Sequence, residues 1–336
     1  MATIKDIADL LNISTGTVSK GLNGGEDISE ELRAKILDTA VSLGYSTKKM
    51  KKRNNWTVCV FIENMDYSAH NQFGYEIVLG FKQQALRDGY QVEIIPATLE
   101  MQLDEKYDTY MMKHGYKGGF FIGFTLNDPW LKSLDDTKVP TVLLDNIEGK
   151  NPCVSYIGTD NYQGMETSVE YLYNLGHRKI AFMNGDEYSM VAKTRADAFK
   201  KACRFYGLEV NNDLIKYGDF TKSGSKNFVE DFIKNGATAI MCASDVIAMG
   251  VITECESLGY KVPDYISVVG FDDLPISAHM TPSLTTIRQE RNNIGKLGSL
   301  ALYSLINGVH ISHTMLRPSL VIRESTSAVK NNFSME

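Results

Sequence analysis

A chain of 336 residues with 43% hydrophobic and 23% charged side chains has the composition of a folded protein with two or three packed units. No apolar run reaches the length of a membrane span, and Lys5, Asp6 and Asp9 break up any signal-peptide core, so no membrane partner and a cytoplasmic location are expected. Five scattered cysteines (Cys59, Cys153, Cys203, Cys242 and Cys255) form no CxxC, which argues against a disulfide framework or zinc site and fits a reducing compartment.

The net charge of −6 is uneven. Residues 1–55 hold nine Lys/Arg against seven Asp/Glu, and five of those cations fall in KKMKKR at 48–53. An acidic body with a small basic head suits a protein that meets phosphates at one end only. A solvated linker would show the same run.

The chain opens on TIKDIADLLNISTGTVSKGLN. Ile4, Ile7, Ala8 and Leu11 lie at helical spacing, Asn12 ends that helix, and Ser14 is placed to cap a second. The second helix turns Val18 and Leu22 inward and Thr15, Gly16, Thr17 and Lys20 outward. This is the pattern of a helix-turn-helix, whose second helix enters a DNA major groove. An ordinary helical hairpin shares the spacing. A third helix follows from Ser29, with Glu30 and Glu31 in its first turn, an apolar face of Leu32, Ile36, Leu37, Ala40 and Val41, and Gly44 as its left-handed stop. Residues 1–45 thus form an all-α head, and the polar, cationic stretch 46–56 is a linker.

From residue 57 the texture changes to short apolar runs at 58–62, 92–95, 120–122, 141–144, 154–157, 179–183, 214–217, 239–242 and 266–269. Amphipathic helices at 75–87, 162–174, 192–206 and 245–257 lie between them. Continuously apolar strands alternating with helices predict an α/β fold with parallel sheets covered on both faces. The units are too many for one sheet, so the core (57–330) divides into two lobes near residue 158. A strand at 284–287, a helix at 292–306 and a terminal strand at 316–322 complete it, followed by a tail at 331–336.

In open α/β sheets ligands bind beyond the carboxyl ends of the strands. The polar residues there are Asn64, Asp145 and Asn146, Ser244 and Asp245, and Asp272 and Asp273, with Arg195 and Phe220 nearby. Acids, a guanidinium fork, a hydroxyl and an aromatic plate suit a polyhydroxylated ligand. Each residue has a plainer reading, since a strand-end Asp often caps a helix and a Phe is often core. No P-loop, GxSxG or GxGxxG is placed to act, the six histidines show no metal spacing, and His177 in LGHRK reads as a loop hydrogen-bonder. Asp272 and Asp273 have no nucleophile or metal beside them, so neither an enzyme nor a cofactor is expected.

The chain resembles the LacI/GalR family of bacterial transcription regulators over nearly its whole length. The opening stretch is similar to that family's head. GYKGGFFI, VPTVLLD, YLYNLGHRKIAF, TRADAF, VPDYISVVGFDD, PSLTTIRQ and LRPSLVIREST resemble its landmarks in order. The resemblance implies a homodimer of subunits, each with a helix-turn-helix head and a two-lobed core of the type I periplasmic-binding-protein kind. The lobes would be about 57–157 plus 288–315 and about 158–287 plus 316–330. It implies double-stranded DNA, a pseudo-palindromic operator, as one partner and a small effector between the lobes as the other.

On the same basis Thr15, Gly16 and Lys20 take base-reading positions, while Ser14, Thr17, Ser19 and Asn23 take phosphate contacts or caps. Arg195 matches the arginine that grips the effector, Asp272 the acid that accepts from it, and Phe220 the aromatic that stacks on it. Asp145, Gln289, Phe73, Ser244 and Asn64 match further lining positions. Ser244 stands where Asn is common, and Val191 and Gly123 where some members are polar. A sugar or sugar derivative fits this lining. A nucleobase fits less well, because Ser189 and Val191 replace the Arg and Thr of the purine-binding branch. The linker departs from the family, with no Pro or Leu wedge after Tyr45. Met50 could serve as a wedge, but Lys48, Lys49, Lys51, Lys52 and Arg53 suit phosphate contacts better. The function expected is that of a sugar-responsive repressor. The rivals are a solute-binding protein with the same core and a regulator answering to a non-sugar metabolite.

Overall fold

The computed structural model describes residues 2–25, 27–45, 56–146, 149–225 and 228–329. In the head, α1 (Ile4–Leu11) starts at a capping box, with the Thr3 hydroxyl accepting from the Asp6 N–H and Asp6 accepting from the Thr3 N–H. Asn12 ends it in the left-handed region at φ 53°. α2 (Thr15–Asn23) is capped by Ser14, whose Oγ accepts from the Thr17 N–H at 3.0 Å. α3 (Glu30–Ser42) is capped by Ser29 and followed by Gly44 at φ 64°. Ile7, Val18 and Ile36, one from each helix, are fully buried at the centre of this small core.

Beyond the head lie two six-stranded sheets. The first contains β1 (Thr57–Ile62), β2 (Gln91–Pro96), β3 (Gly119–Ile122), β4 (Thr141–Leu144), β5 (Val154–Thr159) and β11 (His313–Leu316), in the order β11-β5-β4-β3-β1-β2. All of its pairings are parallel. The second contains β6 (Ile180–Asn184), β7 (Ile215–Tyr217), β8 (Ala239–Cys242), β9 (Ser267–Asp272), β10 (Thr285–Arg288) and β12 (Ser319–Val321), in the order β12-β10-β9-β8-β6-β7. It is parallel except for β12, which runs antiparallel to β10 with Ile287 opposite Leu320. The central strands are buried along their whole length, as their unbroken apolar runs require, whereas β2 at the edge alternates in exposure.

Helices cover both sheets: α4 (Phe73–Arg87), α5 (Leu99–Asp104), α6 (Tyr107–His114), α7 (Pro129–Ser133), α8 (Asn161–Asn174), α9 (Met190–Phe205), α10 (Phe228–Lys234), α11 (Asp245–Ser257) and α12 (Arg291–Ile306). The short helices α5 to α7 leave no period in the sequence that could announce them. The strand expected at 316–322 is two strands. Leu316 ends β11 in the first sheet and Ser319 begins β12 in the second, with Arg317 and Pro318 making the passage. Proline lacks the N–H that a continuous ladder would use. The run at 214–217 is likewise shorter as a strand, because a 3-10 turn at Asn212–Leu214 precedes β7.

The chain passes between the sheets three times, after β5, after β10 and after β11. The second passage sends α12 back against α4. Their backbones cross so closely that a Cβ on Gly80 would lie 2.0 Å from the Asn292 carbonyl oxygen, and one on Gly295 would lie 1.9 Å from that of Ile77. The head also touches the core. Asp38 on α3 accepts from Thr109 Oγ1 at 2.5 Å and from Lys106 Nζ at 3.0 Å, and Met112 packs against the head's apolar core.

Candidate DNA-reading face and effector cleft

On α2 the outward face is the expected one. Thr15, Gly16 and Lys20 are exposed, and Ser19 and Thr17 are half-buried. Ser14 and Thr17 share a hydroxyl hydrogen bond of 2.9 Å, and Asn23 donates to the Ser19 carbonyl at 2.7 Å, so those residues first serve the helix's own ends. Lys20 is ion-paired with Asp27 in the following loop. Lys48, Lys49, Met50, Lys51, Lys52 and Arg53 lie outside the described residues.

In the core, the non-glycine residues with positive φ single out one end of each sheet. Asn64 (46°), Asp145 (57°), Asp272 (125°) and Asp273 (52°) follow or end β1, β4 and β9. Asn and Asp tolerate this region better than other residues, and such outliers gather where a site holds its groups in fixed directions. Gly123, at φ 78° after β3, has a different cause. A Cβ there would lie 1.9 Å from the Glu63 carbonyl oxygen, so backbone packing excludes a polar side chain.

Arg195 on α9 is 3% exposed. Its Nε donates to Asn161 Oδ1 at 2.7 Å, its Nη1 donates to the Ala243 carbonyl, and its guanidinium carbon lies 3.8 Å from the centre of the Phe271 ring. These contacts all come from the second lobe and hold the fork rigidly in place. Burial lowers the Arg195 pKa, while Asp272, Asp145 and Asp245 work to keep it charged. Asp272, 6% exposed, accepts from Gln289 Nε2 at 2.7 Å. Burial raises its pKa against the pull of Arg195. Asp145, from the first lobe, is pushed up to about 6 by burial, again against the pull of Arg195. The cluster therefore takes Asp145 from one lobe and Arg195 and Asp272 from the other, with Gln289 on the passage between them. A backbone bond from the Leu126 N–H to the Tyr188 carbonyl, 3.3 Å, also joins the two lobes.

Not every expected residue joins this cluster. Ser244 is buried but caps α11, its Oγ accepting from the Ile247 N–H at 3.2 Å. The Phe220 ring lies over Gly185 at the end of β6, where a Cβ would come within 2.2 Å of it. Phe73 opens α4 half-buried, and Asn64 is exposed; among the described residues no hydrogen bond ties either to Arg195. Sequence reasoning missed Asn161, whose place just after β5 follows the same strand-end rule that found Asp145. It also missed Phe271 and the Ala243 carbonyl, since one looks like core and the other is backbone. Asp245 is structural. It accepts from the Leu274 N–H and from the hydroxyls of Ser277 and Thr286, closing the loop after β9. His177 is buried between Thr238 Oγ1 (2.9 Å) and the Ser327 carbonyl (3.1 Å), and burial lowers its pKa, as suits a hydrogen-bonder. No group of His, Cys, Asp and Glu among the described residues could hold a metal ion, and no described helix is long and apolar enough to cross a membrane.

The family described as "Bacterial regulatory proteins, lacI family" matches residues 3–48, and that described as "Periplasmic binding protein-like domain" matches residues 169–326. The chain belongs to the LacI family. It is 28% identical over 337 residues to the HTH-type transcriptional repressor CytR of Escherichia coli (strain K12), covering 98% of this chain and 97% of that one. It is 26% identical over 330 residues to the HTH-type transcriptional repressor PurR of Aliivibrio salmonicida (strain LFI1238), covering 97% and 99%. Among solved structures it is similar to a complex of the transcriptional regulator CelR with cellobiose, at TM-score 0.72 and 25% identity over 97% of this chain and 100% of that one. The LacI-family head separates the chain from solute-binding proteins that share the core, and the relatives cited here are named as transcriptional regulators.

Proposed function

We propose that the chain is a sequence-specific DNA-binding repressor that acts as a homodimer inside the cell, and that a sugar or sugar derivative bound between its core lobes changes its affinity for a two-fold operator. The observation that carries this reading is a rigidly anchored, buried arginine in one lobe with an acid of the other lobe beside it, on a chain whose α2 face is open. A ligand seated between Arg195, Asp272 and Asp145 touches both lobes, so it favours one lobe arrangement over another. Two heads held by a dimer place two α2 helices about 34 Å apart, one turn of DNA. In this reading Thr15, Gly16 and Lys20 face base edges, and Ser14, Thr17, Ser19 and Asn23 lie toward the backbone. The lobes are taken as about 57–157 with 288–315 and about 158–287 with 316–330, with the strand ends at Thr159, Arg288 and Leu316 moving each bound by one or two residues. The likeness to a regulator solved with cellobiose supports the sugar.

Selection of bound duplexes from a random-sequence library by the full chain tests the DNA half. An enriched site with two-fold symmetry is expected. Recovery of no enriched motif under low-salt conditions sinks the proposal.

A further inference from the structure

The head meets the core through one pair of helices, α3 and α6. The second of these is covered on two sides. Tyr107 and Met111 belong to the first lobe's own core, while Thr109 and Met112 meet the head. Thr109 is 3% exposed, and its hydroxyl donates to the Asp38 carboxylate at 2.5 Å. Lys106, the N-cap residue of α6, caps nothing with its side chain and donates to the same carboxylate at 3.0 Å. Asp38 thus brings a negative charge to the first turn of α6, where the helix dipole favours it. Met112 adds an apolar contact with the head's core.

Because α3 makes this dock, the reading face of α2 stays free. Thr15, Gly16 and Lys20 are exposed in the docked head. The linker constrains the head less. Ten residues, 46–55, join Tyr45 to Trp56, and a chain of that length reaches up to about 33–36 Å. That reach matches the spacing of about 34 Å between half-sites one DNA turn apart, so linker length alone does not fix where a head sits. The dock is small, but the linker keeps α3 close to α6, and a tethered contact forms at high effective concentration.

We propose that the α3–α6 dock sets the position of each head on its first lobe, and thereby the half-site spacing that the dimer accepts. Asp38, Lys106, Thr109 and Met112 are then positioning residues, acting through α2 and not on DNA. This rests on the reading of a homodimer on a two-fold operator.

The test uses the full chain and three duplexes: the selected operator, the same operator with one base pair inserted at its centre, and a single half-site. The insertion moves one half-site by about 3.4 Å and turns it by about 35°. Fluorescence anisotropy gives each affinity. Wild type is expected to prefer the selected spacing by at least about thirtyfold, because a displaced head must give up either its dock or its half-site. Thr109→Ala combined with Met112→Ser leaves every head residue in place. It should keep single half-site affinity within about twofold of wild type and cut the spacing preference below about fivefold. Lys106→Glu, at an exposed side chain, should also cut the preference, and adding Asp38→Lys should restore it by reversing the pair. This series serves alone if the first variant does not fold. A spacing preference unchanged in the variants overturns the inference and leaves the operator reading standing. Loss of single half-site affinity in Thr109→Ala with Met112→Ser also overturns it, since the dock would then shape the head and not place it. Failure of Asp38→Lys to restore the preference overturns the role given to the charged pair. A wild type indifferent to spacing overturns both the inference and the reading beneath it.

Discussion

Lys20, the cation of the DNA-reading helix, is ion-paired with Asp27 of the same head, both with more than half of their side-chain surface exposed. An exposed pair of this kind contributes at most about 1 kcal/mol, so DNA can take the lysine away from it easily. Asp27→Asn is expected to tighten operator binding by about threefold, by releasing Lys20 and removing a charge that repels phosphate. Lys20→Ala should instead relax base preference at one position in each half-site, at a cost of about 1–3 kcal/mol. Binding isotherms on the selected operator and its single-base variants separate the two. Loss of affinity in Asp27→Asn would mean that the pair shapes the reading face and does not restrain it.

The crossing of α4 and α12 gives a second prediction. A methyl group on Gly295 meets the Ile77 carbonyl oxygen, which belongs to the backbone and cannot rotate away. Gly295→Ala should therefore destabilise the core by about 1–3 kcal/mol, and more if α12 cannot shift. Because α12 starts two residues after Gln289, displacement should also loosen the Gln289–Asp272 bond. Denaturant melts should show the stability loss, and calorimetry with the cleft ligand should show weaker binding. An unchanged melt would mean that the helices can separate at no cost.

The head's contact with the core gives a third. Asp38 accepts from Thr109, which is buried, and from Lys106, which is exposed. Asp38→Ala should leave Thr109 short of its partner and release α3 from α6. Amide hydrogen exchange across α1 to α3 should then speed up while the two sheets keep their protection. If exchange in the head does not change, the contact does not hold the head.

The fourth concerns pH. Asp145 is raised to about 6 in the folded chain, against about 4 for a free aspartate. Between those values the folded protein keeps a proton that the unfolded chain has released, so the folded state loses stability as pH rises through the window. Below it both states are protonated, and above it both are ionised. Without ligand, the melting temperature of wild type should therefore fall relative to that of Asp145→Asn from pH about 4 to pH about 6, then run parallel. Parallel curves throughout would show that Asp145 is not held in a desolvated place.

Much of this was legible in the sequence because the signals are local. Ser14 accepting from Thr17, Asn12 ending α1 and Gly44 ending α3 each follow from one residue's capping chemistry. The apolar runs 58–62 and 239–242 became buried parallel strands because a strand covered on both faces must be apolar throughout. Asp145, Arg195 and Asp272 were reached both by the strand-end rule and by the family resemblance, and Gln289 by the resemblance alone. What stayed hidden depends on distant partners. Ser244 looked like ligand chemistry and caps a helix, since a hydroxyl before a helix serves either end. Asn161 carried no signal of its own in the sequence and anchors Arg195, a partner 34 positions away. The split of the last strand at Pro318 needed the second sheet to be seen, since only β10 supplies the antiparallel neighbour of β12.

The central claim is that a molecule held by Arg195 changes what the head does to DNA. The most direct measurement is fluorescence anisotropy of the selected operator titrated with full-length wild type and Arg195→Ala, each with and without a ligand shown by calorimetry to bind wild type. Wild type should show a ligand-dependent change in operator affinity of at least about fivefold, while Arg195→Ala should bind the operator with unchanged affinity and ignore the ligand. An operator affinity that the bound ligand leaves untouched in wild type, or shifts equally in both proteins, contradicts the account.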